Sequence, residues 1–179
     1  MTYQQVIDKY YPSGTPRRVI YMRHCEAVTQ LAIDIAQAKG LPVDIEEIRE
    51  AAMLHDIGIF LTDAPDIDCH GEEPYIRHGI LGGQLIREEG LSEKDARVAE
   101  RHTGAGITPE DIDSQGLPLP PGRYVPESLL ERLICYADKF YSKSGDMKRK
   151  PLDRVMASMM HISDSTFDRF MALHAEFAM

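Results

Sequence analysis

The sequence has no C-x-x-C pair, no long apolar run and no excess of basic residues, and each absence removes a class of protein. Cys25, Cys69 and Cys135 are an odd, widely spaced set, which argues against a disulfide framework. All three are expected as reduced thiols, Cys25 and Cys135 at helix core positions. No apolar segment approaches the roughly 18–20 residues that cross a bilayer. Met1-Thr2-Tyr3-Gln4-Gln5 is not a basic stretch leading into an apolar run, so a cytoplasmic protein with no membrane partner is expected. A formal net charge of −9 argues against broad nucleic-acid binding, which takes many Lys and Arg contacts to phosphate. It leaves room for a small anionic substrate where a bound divalent metal reverses the local field. Alternating apolar and polar stretches are scarce, so strands are not expected. Repeats, low-complexity tracts and linkers are also missing. With 179 residues, 43% hydrophobic and 27% charged, the chain reads as one domain over residues 1–179.

What is present is helix after helix. Tyr3–Tyr10 is a short candidate, closed by Pro12-Ser13-Gly14-Thr15-Pro16. Cys25, Val28, Leu31, Ala32 and Ile35 recur at spacings of three and four, with Gly40 as a left-handed cap. Asp44 and Glu47 start the next helix, whose buried face carries Ile48, Ala52 and His55 and which Gly58 ends. A polar loop over 62–73 holds His70. Pro74 then leads a helix with Ile80 or Leu81, Leu85 and Ile86, stopped by Gly90. Ser92 with Asp95 opens another, containing Ala96, Ala99 and His102. The stretch 113–125 reads as a long irregular loop, and loops of that length often serve as lids. Pro126 starts a helix with Leu129, Leu130, Leu133, Ile134, Ala137 and Tyr141, and two helices follow Pro151 and Ser163. The class is all-α.

Several polar residues stand where apolar ones belong. His55 and Asp56 end the stripe that begins at Ile48, and Asp138 is in register with Leu130 and Ile134. His24 shares a face with Val28 and Leu31, His78 with Leu81 and Leu85, and His102 with Ala99. An ionised carboxylate is not buried without a partner, and a cation is one candidate. Taken singly, each has an ordinary explanation: a hydrogen-bonded core histidine, or an Asp paired with an Arg. Taken together, on separate helices, they indicate one interior point where helix faces converge, as in metal-binding bundles. The imidazole and carboxylate donors suit Fe, Mn, Co, Ni or Zn, one ion or two, with Mg as a further candidate.

This combination resembles the HD superfamily of metal-dependent phosphohydrolases. The family pattern of a His, an adjacent His-Asp and a distant Asp is met by His24, His55-Asp56 and Asp138. Leu54-His55-Asp56-Ile57-Gly58 carries the H-D-I-G form, and Tyr136-Ala137-Asp138-Lys139 is similar to the last-ligand segment. The likeness runs over about residues 19–143, with 151–179 as added C-terminal helices. It implies an all-helical HD domain with the metal site inside. His78 and His102 fit the two further histidines of dinuclear members. The resemblance thus implies one metal on His24, His55, Asp56 and Asp138, and a second on Asp56, His78 and His102, with Asp56 bridging.

The reaction implied is hydrolysis of a small phosphorylated substrate such as a nucleotide, by a metal-activated hydroxide. Arg77, Arg101 and Lys139 each adjoin a ligand and are candidates, with Asp56, for the catalytic set. The surface is the other option for them, since neighbouring side chains on a helix diverge by about 100°. Ile59-Phe60-Leu61-Thr62 lacks the Glu-Asp of branches acting on guanosine tetraphosphate, and Gly122-Arg123-Tyr124-Val125-Pro126 is not the Gly-Tyr-Pro signature of the cyclic di-GMP branch. Residues 78–106 look similar to diadenosine-polyphosphate hydrolases of the superfamily. Two alternatives use the same residues: a mixed-valent di-iron oxygenase and a non-catalytic nucleotide-binding module. His70, His161 and His174 lie outside the pattern.

Overall fold

Nine α-helices carry the fold in a computed structural model that describes all residues from Met1 to Met179: α1 (Tyr3–Tyr10), α2 (Pro16–Lys39), α3 (Ile45–Leu54), α4 (His78–Glu88), α5 (Glu93–Arg101), α6 (Pro109–Gln115), α7 (Leu129–Asp138), α8 (Leu152–Ile162) and α9 (Asp164–Phe177). The local chemistry explains most boundaries. Thr2 and Gln5 form a capping box on α1, Thr15 caps α2 ahead of Pro16, and Gly40 closes α2 in the left-handed conformation. No helix is long and apolar enough to cross a membrane.

Helix α2 is the axis, 24 residues or about 36 Å long. It takes part in two apolar cores. One gathers Tyr11 from just after α1, Tyr21 from the start of α2, Leu54 from α3, Ile57 from the turn that follows it, Ile86 from α4 and Ala96 from α5. The other gathers Val28, Ile35, Ile48, Leu133, Val155, Phe170 and Phe177 from the rest of α2 and from α3, α7, α8 and α9. His24 lies on α2 between Tyr21 of the one and Val28 of the other, so the anomalous polar residues sit at the seam.

The structure departs from the sequence expectations in four places. The loop 62–73 contains a minimal antiparallel pair, β1 (Asp63–Ala64) with β2 (Cys69–His70), turned by Asp68 in the left-handed region. Helix α3 stops at Leu54 rather than at Gly58, and a 3₁₀ turn, Ile57–Leu61, follows. Residues 109–115 form α6, because Thr108 and Asp111 make a capping box and Pro109 occupies the first turn; the irregular stretch therefore begins only at Gly116. It is tied down by the Ile107–Tyr124 bridge. Helix α7 begins at Leu129, capped by Ser128 and Glu131, and not at Pro126.

Glycine sets the spacing around α4. A Cβ on Gly58 would lie 2.4 Å from the His78 carbonyl oxygen, and one on Gly79 would lie 2.7 Å from that of Ala99. The 3₁₀ turn and α5 therefore approach the α4 backbone directly, without side chains between them.

Candidate metal centre

Four of the helices end or begin at the cluster. His55 follows the last residue of α3, His102 follows the last of α5, Asp138 is the last of α7 and His78 is the first of α4. Helix ends leave carbonyls without intrahelical partners. His55 and His102 use them: Nδ1 of His55 donates to Ala52 O at 2.6 Å, and Nδ1 of His102 to Ala99 O at 2.8 Å. Nδ1 of His78 donates in the same way to Tyr75 O at 2.6 Å. These bonds fix the ring orientations and leave Nε2 of all three facing inward, the usual arrangement of metal-binding histidines.

The inward atoms form two overlapping groups. His24, His55, Asp56 and Asp138 present ligand atoms within 4.8 Å of one another, and so do Asp56, His78 and His102. Nε2 of His24 is 2.9 Å from Asp138 Oδ1 and 3.2 Å from Asp56 Oδ2. Nε2 of His55 is 3.2 Å from Asp138 Oδ1. On the other side, Asp56 Oδ1 is 3.2 Å from Nε2 of His102 and 3.5 Å from that of His78, and makes no hydrogen bond. Asp56 is wholly buried and belongs to both groups.

The donor chemistry fits a cation. His78 Nε2 and His102 Nε2 lie 3.1 Å apart, yet each ring has committed its Nδ1 proton to a carbonyl. Two nitrogen lone pairs at that distance repel unless a proton or a metal lies between them. Burial, with help from His102, pushes the His78 pKa down to about 3, and burial chiefly lowers that of His102. Both rings are therefore neutral at pH 7, the form that binds metal. For His55 burial works against the charged form, but Asp56 and Asp138 outweigh it and the pKa is raised. Burial also works against ionised Asp56 and Asp138; Lys143 and His55 hold the first well below the usual carboxylate range, and Lys139 with His24 and His55 hold down the second.

All six sequence-predicted ligands thus come together. The flanking cations do not behave alike. Lys139 is buried, with Nζ 2.6 Å from Asp138 Oδ2 and 2.7 Å from His102 O, so it orients one carboxylate of the cluster and ties α7 to the end of α5. Arg77 and Arg101 turn elsewhere. Arg77 pairs with Glu73 at 3.0 Å, and Arg101 pairs with Glu131 at 2.9 Å and Glu127 at 3.1 Å. Glu131 also caps α7, so Arg101 is a strut between α5 and α7. The outlying histidines are apart from the cluster: His70 bonds exposed Asp68, His174 takes the Tyr136 hydroxyl, and His161 is exposed.

The residue that sequence reasoning missed is Lys143. Its Nζ lies 2.7 Å from Asp56 Oδ2, and only 15% of its side chain is exposed. It follows α7 in an irregular segment, so no helical register marks it.

Residues 21–142 match the model of the HD domain. The chain is 42% identical over 120 residues to an uncharacterized protein of Methanocaldococcus jannaschii, covering 65% of this chain and 63% of that protein. It is 33% identical over 133 residues to a tRNA (cytidine(56)-2'-O)-methyltransferase of Picrophilus torridus, covering 74% of this chain and 35% of the relative. A protein of the same name from Thermoplasma volcanium is 33% identical over 153 residues, covering 86% of this chain and 39% of the relative. The chain therefore spans under two thirds of each of these relatives. No solved structure matches it.

Proposed function

Because this chain belongs to the HD-domain family, with a complete His/Asp cluster in its interior, we propose that it is a metal-dependent phosphohydrolase acting on a nucleotide or a similar small phosphate ester. The observation that carries the proposal is Asp56, shared by the two ligand groups and buried beside the Lys143 ammonium. When bound there, divalent metal supplies Lewis acidity and lowers the pKa of water to about 7. His24, His55, Asp56 and Asp138 would hold one ion, and Asp56, His78 and His102 a second. The Nδ1 bonds of His55, His78 and His102 keep the Nε2 atoms aimed without reorganisation. Lys139 holds the Asp138 carboxylate in place through its second oxygen.

Phosphoryl transfer concentrates negative charge on oxygen, and a water-poor site with fixed positive charge stabilises it. The two lysines beside Asp56 and Asp138 provide such charge in a chain whose net charge is −9. Methyl transfer, named for two of the relatives, is not proposed here, since the chain spans only 35% and 39% of those proteins.

The test is product release from a panel of nucleotides and dinucleoside polyphosphates with Mn(II) or Fe(II) supplied, using Asp56→Ala protein as the blank. Metal-dependent hydrolysis that disappears in the variant supports the proposal. No hydrolysis by protein that carries its metal overturns it and turns attention to oxygen-dependent turnover of the iron form.

A further inference from the structure

Each carboxylate of the cluster has its own ammonium, but the two pairs are built differently. Lys139 is pinned, since it donates to the His102 carbonyl as well as to Asp138. Lys143 has only Asp56 as a hydrogen-bonding partner, and beyond that its Nζ stands 5.8 Å from the ring centroid of Tyr75. The Tyr75 ring stacks on His78 at 4.5 Å, and the residue is 37% exposed, so Lys143 lies between the buried carboxylate and the solvent side of the cluster. It is carried by the irregular segment after α7, whose ends are joined where Lys150 N donates to Phe140 O at 2.8 Å. A lysine in such a segment can change partner without moving a helix.

The charge balance then indicates what Lys143 is for. Asp56 and Asp138 are neutralised by Lys143 and Lys139 without any metal. Divalent cation bound to the same carboxylates leaves the ammonium groups as surplus positive charge in a buried place, which an anion can balance. Lys143 is the one free to reach it.

Resting on the phosphohydrolase proposal above, we infer that Lys143 is a substrate-binding catalytic residue: its ammonium leaves Asp56 when metal loads and grips a non-bridging oxygen of the substrate's phosphate. Asp56 is its partner in the unloaded protein, and Tyr75 flanks the path between the two positions. Lys143 is thus both a competitor of the metal and a ligand of the phosphate.

The test uses the Mn(II)-loaded protein and inorganic phosphate as the probe. Wild type, Lys143→Met and Lys143→Arg are compared for Mn(II) affinity, phosphate affinity and KM for a hydrolysed nucleotide. Lys143→Met should bind Mn(II) at least as tightly as wild type, because a competitor is gone. Its phosphate affinity should fall about 10- to 100-fold, with a matching rise in KM, the loss expected for one charged hydrogen bond. Lys143→Arg should recover most of it. Unchanged phosphate affinity in Lys143→Met overturns the inference while leaving the phosphohydrolase proposal standing. Lost Mn(II) affinity in Lys143→Met overturns it too, because Lys143 would then support the metal site. If wild type neither binds phosphate nor hydrolyses any nucleotide, both fall. Should Lys143→Met not fold, Lys143→Gln with the same readouts decides.

Discussion

At the scale of the residue, Asp56 and Asp95 are two buried carboxylates whose pKa values are driven in opposite directions. Asp56 is ionised because Lys143 and four histidines surround it. Asp56→Ala removes an atom from both ligand groups and is expected to abolish metal uptake. His102→Ala removes one donor from the second group alone and should reduce the bound metal toward one equivalent. Metal content per chain, measured after desalting, checks both; full occupancy in Asp56→Ala would show the ligand set to be wrong. Asp95 is different. Three residues after Ser92 it is placed to cap α5, but its carboxyl turns inward instead, and Oδ2 has no partner. Burial, followed by the nearby Glu50 carboxylate, raises its pKa to about 7. Protonated Asp95 therefore favours the folded state fully below pH 3.8, and that contribution is lost as pH rises to about 7. Asp95→Asn should flatten this part of the pH–stability curve and stabilise the protein at pH 8 by on the order of 1 kcal/mol. Thermal unfolding at pH 5 and pH 8 tests it, and equal loss in both proteins would refute it.

Elements set the distances that single residues exploit. Gly79 lets α4 lie against the Ala99 carbonyl, the same oxygen that takes the His102 Nδ1 proton. Gly79→Ala puts a methyl group 2.7 Å from that oxygen, and a backbone atom must shift to admit it. Overpacking of this kind costs about 1–3 kcal/mol. It should also disturb the His78–His102 pair while sparing the group around His24. Denaturant unfolding together with metal stoichiometry separates these effects, and a variant of wild-type stability and stoichiometry would count against the close-packing argument. The residues of the cluster stood out in the sequence, some because they break an apolar stripe of period 3.6: His24 beside Val28, Asp138 beyond Ile134. The helices of the core were legible for the same reason. Helix α6 was not, since 109–115 buries little apolar surface and owes its existence to a capping box. The fates of Arg77, Arg101 and Lys143 were hidden too, because adjacency in sequence says nothing about the carboxylates that tertiary packing brings near. Glu131 lies 30 residues from Arg101, and Asp56 lies 87 from Lys143.

At the scale of the whole molecule, the question is whether metal is needed for folding or only for chemistry. In small metal-folded domains the binding energy is the folding energy, and chelators unfold them. Here the cluster lies at the seam of two apolar cores, each with its own fully buried residues, such as Tyr21 and Ile86 in one and Ile48 and Phe170 in the other. The two buried carboxylates carry internal counter-ions, Lys143 and Lys139. The main charge left by removing metal is thus already compensated, and the lasting penalty is the His78–His102 contact at 3.1 Å. The chain should therefore stay folded in excess chelator. Metal should then act as an ordinary ligand of the folded state, adding about 2.7 kcal/mol at 100 times its Kd. For a chain of 179 residues that corresponds to a rise in Tm of about 5–10 °C. Far-UV circular dichroism melts with Mn(II) and with chelator give the comparison. Loss of helix at 25 °C on chelation would mean that Lys143 and Lys139 do not balance the cluster, and that the metal is part of the fold.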